Sequence, residues 1–174
     1  MLCRSLVGSL ALLSHTHAMQ LSSFAAPARS ISREEVRLVD EKAIQMGLPG
    51  IVLMENAALG LTNVVEAELA ARGAPGSAVG ICCKTGNNGG DGFVLARQLL
   101  LRGYKPRVAY CGDRAAANRE GDAGINLTVL EAMDGATIVD VADGAALTKL
   151  LADWDDVVLL VGRPQRQRHR YTPS

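Results

Sequence analysis

The chain has 174 residues, 48% of them hydrophobic and 3% aromatic, with a mean hydropathy of +0.14. That is about one domain's length with enough apolar content for a packed core, which excludes a chain disordered by composition and a binder built on stacked single-stranded bases. Net charge is zero but unevenly spread: residues 1–33 carry +3, residues 163–174 carry +4, and the body between is acidic at −7, which argues against a nucleic-acid partner.

No acid precedes Glu34, and a short apolar stretch from Leu6 to Leu13 is followed by serines and the small run Ala25-Ala-Pro-Ala28. Residues 1–28 therefore read as a targeting peptide, with import into a mitochondrion or other organelle favoured over secretion or a cytoplasmic location. No apolar run reaches the ~18–20 residues of a membrane span, so no membrane partner is expected. Cys3, Cys82, Cys83 and Cys111 show neither CxxC nor zinc spacing and read as reduced thiols.

Ser32 with Glu35 forms a capping-box pattern that starts a helix running to about Gln45, where Gly47, Pro49 and Gly50 break it. A second helix is expected over 51–71, with Val52, Leu59, Val64 and Leu69 as its apolar stripe. Ala78 to Cys83 is a short apolar run between turn signals, as a buried strand should be. A glycine-rich loop over 86–92 and a helix over 93–102 follow, then a strand over 107–111 and a helix over 115–133. Strand 136–141, a short helix over 145–151 and strand 156–161 complete the body. Alternating strands and helices predict a mainly parallel sheet covered on both faces, a Rossmann-like three-layer αβα sandwich over residues 29–162. The run Arg163 to Arg170 is basic and apolar-free, and residues 163–174 read as a disordered tail.

Gly86-Asn-Asn-Gly-Gly-Asp-Gly92 is the informative motif. It follows the first strand, at the sheet edge where open α/β folds bind ligands. Its glycines permit positive φ and close approach to a ligand, and the next helix offers N–H groups and partial positive charge to a phosphate. Asn87 and Asn88 offer neutral oxygens for a hard cation or a ligand's polar edge. Asp91 is placed to cap the helix, to bind a ribose hydroxyl or to act on substrate. A dinucleotide fingerprint begun at Gly90 fails because Leu95 stands at its third glycine, and no lysine completes a P-loop.

These residues resemble the YjeF N-terminal domain, the fold of the NAD(P)HX epimerases, in the family that includes the apolipoprotein A-I-binding protein. Glu34-Glu-Val-Arg-Leu-Val-Asp40 with Gly47-Leu-Pro, Leu53-Met-Glu-Asn-Ala57, and the turn Gly103-Tyr-Lys-Pro agree in order, so the likeness covers about 31–161. The resemblance implies an isomerase that interconverts the R and S forms of NADHX and NADPHX, so that a stereospecific dehydratase can restore the cofactor. It implies that Asn87, Asn88, Gly89, Gly90 and Asp91 contact this nucleotide, that Asn88 also ligates a potassium ion, and that the protein is a homodimer. Glu55 reads as helix surface rather than pocket, while Asn56 is left even between lining the pocket and packing.

The chain departs from the family pattern in two places. Lys84 stands where many relatives have glycine, with an ammonium that either crowds the turn or meets a phosphate. Leu159 stands about where the family carries the aspartate of an Asp-Ala-(Leu/Ile)-Phe-Gly run, and the later Asp-x-Pro-Ser-Gly segment is missing. The expectation is therefore a C-terminally truncated domain whose alternative role is a weak or inactive nucleotide-binding scaffold. Any general acid and base must come from carboxylates, lysine or water, because the histidines are His15, His17 and His169, outside the body.

Overall fold

The computed structural model describes residues 31–161 apart from Pro75, Asp155 and Asp156; the expected targeting peptide and basic tail lie outside the described residues. The elements are α1 (Arg33–Gln45), α2 (Gly50–Ala71), β1 (Ala78–Lys84), α3 (Asn87–Leu101), β2 (Lys105–Cys111), α4 (Asp122–Glu131), β3 (Thr137–Asp140), α5 (Gly144–Ala152) and β4 (Val157–Val161).

Helix α1 begins at the capping box legible in the sequence. The Glu35 amide donates to Ser32 Oγ at 3.2 Å, and the Ser32 amide donates to Glu35 Oε2 at 2.8 Å. Arg37 then bridges Glu34 at 2.6 Å and Glu41 at 2.5 Å along the exposed face. Contact density divides the chain between Glu41 and Lys42, and the layers described next belong to the second unit.

The four strands lie in the order β3-β2-β1-β4, every neighbour parallel, with Ile81 of β1 opposite Val108 of β2 and Leu159 of β4. Parallel strands need crossovers, and the helices supply them on both faces. On one face α3 buries Phe93, Leu95, Ala96 and Leu99 against Val79, Ile81, Val108 and Tyr110, with α2 and α4 adding Val65, Leu69, Leu127 and Leu130. The Phe93 and Tyr110 rings stack at 5.9 Å. On the other face Cys82, Ala109, Val141 and Trp154 form a smaller core with Leu147, Leu150 and Leu151 around α5. This is the three-layer Rossmann-like sandwich that the strand–helix alternation predicts. Leu95 has no solvent exposure, so Leu95→Ala should lower the unfolding free energy by about 2–5 kcal/mol, read from the denaturant midpoint.

Three expectations about the elements need correction. In α2 the buried stripe is Met54, Ala58, Thr62, Val65 and Leu69, whereas Val52, Leu59 and Val64 are exposed. This helix is apolar on several sides, so periodicity alone does not choose its face; small Ala58 and Thr62 let the neighbouring helix approach. The helix expected over 115–133 is confined to Asp122–Glu131. Asp113 Oδ1 accepts from the Ala115 and Ala116 amides, which holds a turn where the alanine run favours helix. Arg119 ties this loop back to Glu131 at 2.6 Å and to the Arg114 carbonyl at 3.2 Å. The third correction concerns the glycine-rich motif.

Candidate functional site

The strand order places a crevice before any side chain is considered. The β1–β2 crossover runs through α3 on one face and the β3–β4 crossover through α5 on the other, so the winding reverses between β1 and β4. Ligands of open α/β sheets bind outside the carboxyl ends of the strands at such a reversal. Here those ends are Lys84 of β1 and Val161 of β4, the latter paired with Cys83.

Directly after β1 comes the motif, and it is helix rather than loop. Helix α3 starts at Asn87, and the Gly90 amide already bonds the Gly86 carbonyl at 3.0 Å. Within the motif only Gly86 has positive φ, at +90°, the turn that swings the chain from strand to helix. Gly89 and Gly90 are bare for packing reasons. A Cβ on Gly89 would overlap the Lys84 carbonyl oxygen, and one on Gly90 would lie 2.6 Å from Met54 Sδ and 2.9 Å from Ala123 Cβ. The glycines thus set the first turn of α3 tight against β1, α2 and α4. Of the three roles open to Asp91, the helix cap is excluded: it lies in the second turn and is half-buried, and the cap position is Gly86, with no side-chain bond.

The amides of Asn87, Asn88 and Gly89 belong to the first turn, which leaves them without intrahelical acceptors, and no acid occupies that turn. Such an N-terminus favours an anion. The Asn87 and Asn88 side chains are exposed and unengaged among the described residues.

The sequence misses two supports of this turn. Asn126 is buried in α4 and donates from Nδ2 to Met54 Sδ at 3.5 Å and to the Asp122 carbonyl at 3.0 Å, fixing the methionine that backs Gly90. Asp122 opens α4, and its carboxylate fills the space a Cβ on Gly50 would need, which sets one acid beside two helix N-termini. Only the folded packing reveals either contact.

Glu55 is not plain helix surface: half-buried, it accepts from Gln98 Nε2 at 2.5 Å, pairs with Arg97 across α2 and α3, and lines the same groove as Asn56. Replacing it leaves a half-buried arginine without its carboxylate, so Glu55→Ala should destabilise by about 1–3 kcal/mol in chemical unfolding. Asn56 is exposed and, with Ile51, Val52, Ile125 and Val129, lines a groove of about 390 Å³ that none of residues 84–91 lines.

Burial pushes the Cys82, Cys83 and Cys111 thiols above their ordinary value, so none of these free cysteines is poised as a thiolate nucleophile. Among the described residues no three His, Cys, Asp or Glu side chains cluster as a metal site. Asn88 carries one exposed neutral oxygen, the donor type that a hard cation takes.

Residues 50–161, well over half the chain, match the family described as YjeF-related protein N-terminus. The chain belongs to this family. The NAD(P)H-hydrate epimerase of Rhodopirellula baltica is 43% identical over 101 residues, covering 57% of this chain and 38% of that protein. The NAD(P)H-hydrate epimerase of Lentilactobacillus buchneri is 39% identical over 93 residues, covering 53% and 42%. A bifunctional NAD(P)H-hydrate repair enzyme of Thermanaerovibrio acidaminovorans is 39% identical over 97 residues, covering 56% and 17%. This YjeF-related chain therefore spans less than half the length of each of these relatives. The crystal structure of yeast ynu0, YNL200c, has the same fold, with a TM-score of 0.61 at 23% identity over 80% of this chain and 61% of that one.

Proposed function

We propose that this YjeF-related domain acts in NAD(P)H-hydrate repair as an epimerase, interconverting the R and S forms of hydrated NADH and NADPH. The observation that carries the reading is the first turn of α3. It has three N–H groups without intrahelical acceptors and two asparagine amides unengaged among the described residues, at the sheet reversal of a chain related to named epimerases. In this reading Asn87, Asn88, Gly89, Gly90 and Asp91 form the substrate-binding turn. The N–H groups face a phosphate, the asparagine amides hold polar edges of the nucleotide, and Gly89 and Gly90 act by keeping the turn in place. Asp91 stands one turn further in, and in this reading its carboxylate holds a ribose hydroxyl or a proton.

Asn88 also supplies one oxygen ligand to a potassium ion. When bound, that ion adds a fixed positive charge beside the nucleotide. The product would pass to a dehydratase, a coupling in keeping with the bifunctional repair enzymes among the relatives. A homodimer, and import into a mitochondrion or other organelle directed by residues 1–28, belong to the same proposal.

The test is to incubate the purified protein with one epimer of hydrated NADPH and follow the approach to the R/S mixture by chromatography. Equilibration faster than the uncatalysed rate is expected; a rate equal to the blank contradicts the epimerase reading. One observation favours a second reading, nucleotide binding without turnover: Leu159 lies opposite Ile81 in β4, in the region where the resemblance implies a carboxylate. That reading predicts binding of NADP+ with no equilibration.

A further inference from the structure

Lys84 ends β1 at the crevice. Its backbone register sets it opposite Cys111 of β2, one residue beyond the last β1–β4 pair, Cys83 with Val161. Its neighbours along β1 explain its setting. Cys83 faces the larger core, while Cys82 faces the α5 side, so Lys84 shares the α5 face with Cys82 and Cys111 at the mouth of the reversal.

The side chain is half-buried, and no acid pairs with it among the described residues. That is unusual for this protein. Each arginine whose side chain is described is engaged, Arg107 over the Trp154 ring and the other six with carboxylates. The other described lysines, Lys42, Lys105 and Lys149, are exposed to water. Cys111 lies within electrostatic reach of Lys84, but burial raises that thiol, so it stays neutral near pH 7 and is no counter-ion. Lys84 thus places an ammonium at the mouth of the reversal that no acid among the described residues neutralises, and an anionic ligand there would gain a charge-assisted hydrogen bond.

We propose that Lys84 is a specificity-determining residue of this site, binding an anionic phosphate of the nucleotide at the carboxyl ends of β1 and β4. The proposal rests on the nucleotide-repair reading and deepens it: the site selects phosphate-bearing forms of the ligand through a side-chain charge as well as through backbone amides. The Lys84 carbonyl, packed against Gly89, fixes the base of this side chain to the turn that holds the asparagines.

The experiment is isothermal titration of the full chain with NADP+ at about 50 and 300 mM salt, for wild type, Lys84→Met and Lys84→Arg. Thermal unfolding of each variant checks that it is folded. Lys84→Met should raise Kd about tenfold at low salt and flatten its salt dependence, with Lys84→Arg close to wild type. In the epimerisation assay the same change should raise KM more than it lowers kcat. A folded Lys84→Met that matches wild type in Kd and salt dependence overturns the role of Lys84 while leaving the repair reading intact. A folded wild type that does not bind NADP+ overturns both.

Discussion

Gly89→Ala is expected to lower the unfolding free energy by about 3 kcal/mol and to abolish nucleotide binding with it. The added methyl would overlap the Lys84 carbonyl oxygen, a backbone atom in a strand paired on both sides, which no side-chain rotation can relieve. Either β1 or the first turn of α3 must move, and both border the crevice. Gly90→Ala should be milder, because Met54 Sδ at 2.6 Å belongs to a flexible side chain, although Ala123 Cβ at 2.9 Å does not yield as readily. Denaturant melts of the two variants, each paired with NADP+ titration, separate the cases. Gly89→Ala with wild-type stability would contradict the tight strand–helix contact.

Asn88→Ala should do the opposite, leaving stability within about 0.5 kcal/mol while weakening nucleotide binding and turnover roughly tenfold or more. The side chain is exposed, is unengaged among the described residues and stands at the second position of a helix that has no side-chain cap to lose. Its amide therefore has no evident structural duty. If the amide oxygen also ligates potassium, replacing that ion with tetramethylammonium should weaken binding to wild type and leave Asn88→Ala unchanged. A variant that binds and turns over like wild type would remove Asn88 from the site.

Much of the architecture was legible because it rests on local signals. The capping box of Ser32 and Glu35, the positive-φ glycines Gly47, Gly73 and Gly103 after their helices, and the doubly buried run of β1 all act over a few residues. The position of the motif in the fold was legible for the same reason, since it directly follows β1. Its conformation was not. Four glycines in seven residues signal a loop by propensity, but here two of them are small so that Lys84, Met54 and Ala123 can close on a helix, and those contacts span up to some 36 residues of sequence. Helix α4 was overextended for a related reason: Ala115, Ala116 and Ala117 favour helix, while Asp113 and the Arg119–Glu131 pair hold the segment as a loop.

The most direct test of the account is an amide NMR titration of isotopically labelled protein with NADP+. The predicted result is that the largest shifts fall on the backbone amides of Gly86 to Gly89 and on the side-chain amides of Asn87 and Asn88, with smaller ones along the end of β1. Shifts centred instead on Ile51, Val52, Ile125 and Val129, which line the groove between α2 and α4, would contradict the assignment of the α3 turn as the nucleotide site.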